Sequence, residues 1–174
     1  MKDKIRVVFD RRALPFPAAL ECLAAEKCRG FFPAEIITEG NRVEAWFHVE
    51  GWHRLKDEEL LSPVQVLLLA KSVLLAVDEC RDWLWFPEDY VLSLDTVFTD
   101  GKGHVCFLCI PERSKLSEYR RMENFLRALE KKTSGKGAGY LEECIGFLKA
   151  KPLHTRRLIA FLDQILEEEY CLGF

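Results

Sequence analysis

The sequence lacks a basic excess, a bilayer-length apolar run and any complete catalytic signature. Each absence closes a class of function. Lysine and arginine number 25 against 28 aspartates and glutamates, a formal net charge of −3. Phosphate backbones are neutralised by clustered cations, so nucleic acid is excluded as the expected partner. The longest apolar-rich segment, Val64–Val77, is interrupted by Gln65, Lys71 and Ser72. It is too short and too polar to span a bilayer. The start, MKDKIRVVFD, has no long apolar region and no small-residue cleavage site, which reads as a chain without a secretory leader. No internal repeat is visible, so a solenoid is not expected.

The chemistry-bearing motifs are also incomplete. Gly135-Lys136-Gly137-Ala138-Gly139 lacks the Walker spacing and has no Ser or Thr after the lysine, so Thr133–Gly139 reads as a flexible loop. Cys106-Phe107-Leu108-Cys109 has C-x-x-C spacing, but in a strand positions i and i+3 point to opposite faces. No second cysteine pair supplies a finger spacing. The seven cysteines sit mostly within apolar patterns, and the absence of a leader implies a reducing compartment. They are expected to be free thiols, with Cys80, Cys106 and Cys109 buried. His48 and His53 flank Trp52, but nothing in the sequence brings a cysteine to either.

What is present is ordinary globular usage, 49% hydrophobic and 30% charged, in a chain long enough for one sizeable core. The expectation is one α+β domain over 1–174, with a smaller N-terminal lobe over 1–55 and a mainly helical lobe over 60–174. Lys4–Asp10 alternates weakly and reads as an edge strand. Pro17 opens a helix running to about Lys27. Ala34–Thr38 and Arg42–Val49 read as strands around Glu39-Gly40-Asn41. Ser62-Pro63-Val64-Gln65 carries a cap, a first-turn proline and a returning glutamine. It predicts a central apolar helix to roughly Arg81. Val91–Phe98 and His104–Ile110 flank Asp100-Gly101 and predict a β-hairpin ended by Pro111, with an irregularity near Thr96. Leu116–Lys132, Tyr140–Ala150 and His154–Tyr170 read as helices, the last two parted by Pro152.

Cys80-Arg81-Asp82, followed by Pro87-Glu88-Asp89 and two strands, has the outline of a protein-kinase catalytic loop. The order of elements fits as well: small sheet, helix, two strands, connector, long buried helix, loop, hairpin. The catalytic set does not fit. A cysteine stands where the histidine belongs, Cys109-Ile110-Pro111-Glu112 stands where D-F-G would be, and no apolar strand supplies the phosphate-binding lysine. The expected arrangement is therefore degenerate and kinase-like.

Phe47-His48-Val49-Glu50-Gly51, the helix over Leu60–Asp82 and VLSLDTVFTDGKGHVCFLCIPE at Val91–Glu112 together carry a family resemblance. The chain resembles the bacterial domain found N-terminal to forkhead-associated, phosphothreonine-reading domains in Gram-positive anaerobes. More distantly it is similar to the kinase-fold cytosolic domain of the type VII secretion membrane protein. The resemblance covers Ala34–Glu112, and the C-terminal helices by pattern. No forkhead-associated domain lies within the 174 residues. The reading is thus a stand-alone member or a piece of a longer protein.

That family has no established catalytic residues, so the resemblance transfers none. It implies a cytoplasmic, catalytically silent interaction or scaffold domain in signalling or secretion-system assembly, binding a protein partner, with a homo-oligomer as a further option. No cofactor and no metal is expected. Trp52, Trp83, Trp85, Phe86, Glu88 and Asp89 are the expected partner surface, aromatic anchors with an acidic rim. It should border a cleft between the Arg42–Val49 strand and the Trp83–Tyr90 loop. Two alternatives stand beside this reading. One is a pseudokinase holding a nucleotide or small ligand in the lobe cleft, and the other is a hydrolase or transferase using a Cys/His pair.

Overall fold

The computed structural model describes residues 3–150 and 155–172. Expectations that touch Pro152 and His154 lie outside the described residues. The chain opens with β1 (Lys4–Asp10), a short helix α1 (Ala19–Ala24), β2 (Ala34–Glu39) and β3 (Arg42–His48). These strands form an antiparallel sheet in the order β1-β3-β2, so β1 is an edge strand, as its weak alternation predicts. Val43, Ala45 and Phe47 of β3 are buried, and Ile5, Val7 and Phe9 pair with them in register. Period-two alternation thus turns one face to the core. The other face is ionic. Lys4 meets Glu35 at 3.0 Å, and Arg6 meets Glu44 at 2.6 Å.

The second sheet orders β4 (His53–Arg54), β5 (Val97–Thr99) and β6 (Val105–Phe107), all antiparallel. The predicted hairpin pairs, but its strands are much shorter than Val91–Phe98 and His104–Ile110. The cause is local. The Thr96 hydroxyl accepts from the Ser93 N–H at 3.0 Å and donates to the Val91 carbonyl at 3.0 Å. Those bonds fold Ser93–Thr96 into a turn, because a short hydroxyl side chain competes with the ladder for backbone groups. Pairing resumes beyond it, where the Val91 N–H donates to the Ile110 carbonyl. The far edge of β6 is covered by the Gly30–Phe32 segment. Phe107 N–H donates to the Gly30 carbonyl at 2.8 Å, and Phe32 N–H donates to the Phe107 carbonyl at 3.0 Å. β4 has no counterpart in the sequence expectations, since two residues are too few to show a period.

Between the sheets' connections runs α2 (Pro63–Asp82), 20 residues long. Ser62 and Gln65 form the capping box that the sequence promised, and Pro63 fills the first turn. Val66, Leu67, Ala70, Val73, Leu74, Val77 and Cys80 are all buried. β6, α4 (Lys136–Ala150) and α5 (Thr155–Leu172) pack on α2. α3 (Glu118–Glu130) lies against α4 and buries Met122, Phe125, Leu126 and Leu129.

Two expected boundaries move. The helix expected over Pro17–Lys27 is confined to α1. The expected loop Thr133–Gly139 is mostly the first turn of α4. Gly135 takes the left-handed φ of +56°, and a Cβ on Gly137 would stand 2.2 Å from the Thr133 hydroxyl. The glycines therefore serve a turn and a close contact rather than a linker.

Candidate functional site

The loop that follows α2 decides where the expected site residues go. Trp83 ends the helix and is 38% exposed. Leu84 adopts a φ of +63°, uncommon for a residue with a Cβ, and its side chain is 59% exposed. The Trp83 and Trp85 N–H groups both donate to the Cys80 carbonyl, and the Leu84 N–H donates to that of Arg81. This tight reversal leaves Trp83 and Leu84 at the surface and turns the next side chain, Trp85, inward. Phe86, 39% exposed, returns to the surface. Its N–H donates to the Asp89 carboxylate at 2.9 Å, while the Asp89 N–H donates back to the Phe86 carbonyl at 2.8 Å. Asp89 is thus a turn residue that fixes the loop. Glu88 is exposed beside it.

Trp85 corrects the expected surface, because it is wholly buried. Its ring meets Phe31 edge-on at 5.2 Å and Phe16 at 5.9 Å. Phe31 in turn meets Tyr90 at 5.0 Å. The indole is the plug that joins the segment around α1 to the core, not a partner anchor.

Trp52 also parts from the others. It packs edge-on against Phe32 at 5.4 Å and lines a groove of about 1010 Å³ with Lys4, Arg6, Trp46, Arg54 and Phe98. Glu88 and Asp89 instead border a hollow of about 440 Å³ with Pro15, Arg113, Lys115 and Ser117. The two sites share no lining residue. The cleft beside β3 is therefore walled by Trp52–Arg54 and Phe98, not by the Trp83–Tyr90 loop.

The kinase-like tripeptide has a structural role for its middle member. Arg81 pairs with Glu118 of α3 and with Asp78 at 3.1 Å, and donates to the Thr155 hydroxyl at 2.6 Å. One guanidinium so fastens α2, α3 and α5. Asp82 is exposed beyond it.

The thiols are free, and six of the seven are buried. Burial pushes the Cys80 and Cys109 thiols far up and the Cys106 thiol up to about 12. Cys28 alone is drawn down, by the Cys80 thiol 3.7 Å away, yet it too is buried. The described histidines bond to carboxylates: His48 to Glu35, His53 to Glu58 and His104 to Asp100. Among the described residues no cysteine has a histidine within hydrogen-bond reach, and no cluster of ligands could hold a metal ion. No described helix is long and apolar enough to cross a membrane.

No family model matches the chain, and no curated protein matches it. A solved structure does. The cytoplasmic fragment of EssB from Geobacillus thermodenitrificans superposes with a TM-score of 0.59 at 12% identity, over 97% of this chain and 86% of that one. At that identity the likeness is one of fold. It agrees with the distant similarity to the type VII secretion membrane protein drawn from the sequence. The fold class is α+β: an N-terminal sheet with a helix, a central apolar helix carrying a hairpin, and a helical C-terminal part.

Proposed function

We propose that this chain is a non-enzymatic interaction module of the bacterial cytoplasm that works in secretion-system assembly or signalling. The observation that carries the reading is the loop after α2. It presents Trp83, Leu84 and Phe86 together to solvent, with Glu88 exposed next to them. Large apolar side chains on a loop held by its own backbone bonds lose little freedom on docking, which suits a partner anchor. Leu84 in a left-handed conformation is the kind of local strain that tends to be kept for display. The fold shared with the EssB cytoplasmic fragment supports placing the module beside a secretion machine. The resemblance to domains preceding forkhead-associated domains supports a signalling branch of the same role.

The reading does not call on catalysis. Six of the seven thiols are buried, no described histidine lies within hydrogen-bond reach of a cysteine, and Arg81 is committed to three helices. A photo-crosslinking residue placed at position 83 or 86 should give discrete protein adducts in cells that make the protein. The same residue at Val8, exposed on the outer face of β1, should not. Equal labelling from all three positions would refute the proposal.

A further inference from the structure

The groove of about 1010 Å³ lies between two strand edges, β1 of the first sheet and β4 of the second. Its walls are Asp3–Arg6 and Trp46 on one side, and Trp52–Arg54, Asp57 and Phe98 on the other. The backbone register of β1 shows which groups face it. Val49 N–H donates to the Asp3 carbonyl and Arg11 N–H to that of Asn41, so the odd-numbered residues of β1 exchange their bonds with β3. In an antiparallel pair the alternate residues direct N–H and C=O away from the partner. Lys4 and Arg6 therefore turn their backbone groups to the open edge, with no backbone partner among the described residues.

The opposite wall supplies an unspent cation. Arg54 lies over the Phe98 ring at 5.6 Å, and its Nε is buried without a hydrogen-bond partner. Lys4 and Arg6 are satisfied by Glu35 and Glu44, and Asp3 and Asp57, which also line the groove, make no ion pair with Arg54 among the described residues. With those two carboxylates in its walls, the groove matches a single incoming carboxylate at Arg54 and repels a run of them. A buried guanidinium nitrogen left unmatched is costly, and a carboxylate in the groove would match it.

We infer that this groove takes an extended segment of a partner protein, with one carboxylate among apolar side chains, which adds a strand to the free edge of β1. Its backbone would bond to Lys4 and Arg6. Alternate side chains would place a carboxylate on Arg54 and an apolar group against Trp46 and Trp52. A second copy of β1 is disfavoured, since it would set Lys4 and Arg6 against the same cations. The inference is independent of the Trp83–Phe86 loop.

The probe is a displayed library of random heptapeptides panned on the full chain. Selected peptides should carry one acidic residue flanked at alternate positions by apolar ones. They should protect the Lys4 and Arg6 amides from hydrogen exchange, and lose at least tenfold in affinity with Arg54→Gln but not with Arg113→Gln or Trp83→Ala. Arg54→Lys, which keeps the charge, guards against a fold defect and should lose less. Methylating alternate peptide nitrogens should abolish binding. Panning that returns nothing above bare support would overturn the inference. So would peptides indifferent to Arg54→Gln, unprotected Lys4 and Arg6 amides, displacement by ATP with magnesium, or dimerisation of the chain through β1.

Discussion

Trp85 is fully buried against Phe16 and Phe31, while Trp83, two residues before it, is 38% exposed. It follows Trp83 and Leu84 in a segment too short for any period, so nothing in the sequence says which ring turns inward. The left-handed backbone at Leu84 makes that choice. Because the ring is fully buried against Phe16 and Phe31, Trp85→Ala should destabilise the fold by about 3–5 kcal/mol, read by urea denaturation. A variant that melts like the parent would contradict the packing. The cysteines were more legible, since a thiol within an apolar pattern behaves as a small hydrophobe. With only Cys171 exposed, a chromogenic disulfide reagent should titrate one thiol quickly in the native protein and seven after denaturation. A second fast thiol would point to the cysteine-dependent enzyme instead.

Elements were legible where local and global signals agree. Ser62-Pro63-Val64-Gln65 names its own role, because cap, proline and glutamine all act within one turn, and the apolar run behind it needs burial. The hairpin was legible as a pairing but not in its length, since the Thr96 hydroxyl bonds depend on which conformer wins locally. Thr133–Gly139 misled for the opposite reason. Glycine signals freedom in a sequence, while Gly137 is there to make room for Thr133. On the outer face of the first sheet, the Arg6 guanidinium holds the Glu44 carboxyl down to about 2, against an ordinary 4.5. A carboxylate with a depressed pKa stabilises the fold above its unfolded value and loses that contribution as pH falls through the folded one. The advantage of the parent over Glu44→Gln in melting temperature should therefore be full above about pH 5, shrink below 4.5 and vanish near 2. An advantage independent of pH would mean the pair contributes through packing alone. Arg6 is 45% exposed, so solvent screens the pair and the advantage should be small.

At the scale of the molecule, the order of sheet, helix, strands, long helix and hairpin was readable because each element carries its own pattern. The surfaces were not, because grooves arise between elements distant in sequence. Trp52 and Glu88 were expected on one face and border separate hollows. The fold likeness to the EssB cytoplasmic fragment sets the architecture, and the exposed loop after α2 carries the proposed function. The most direct test compares the parent with the Trp83→Ala/Phe86→Ala double variant as baits in cells that produce the protein, with captured proteins quantified by mass spectrometry. Both side chains are more than a third exposed, so the variant should melt close to the parent. The account predicts that a defined partner held by the parent is lost from the variant at least tenfold. An unchanged set of captured proteins, with both baits equally folded, would contradict it.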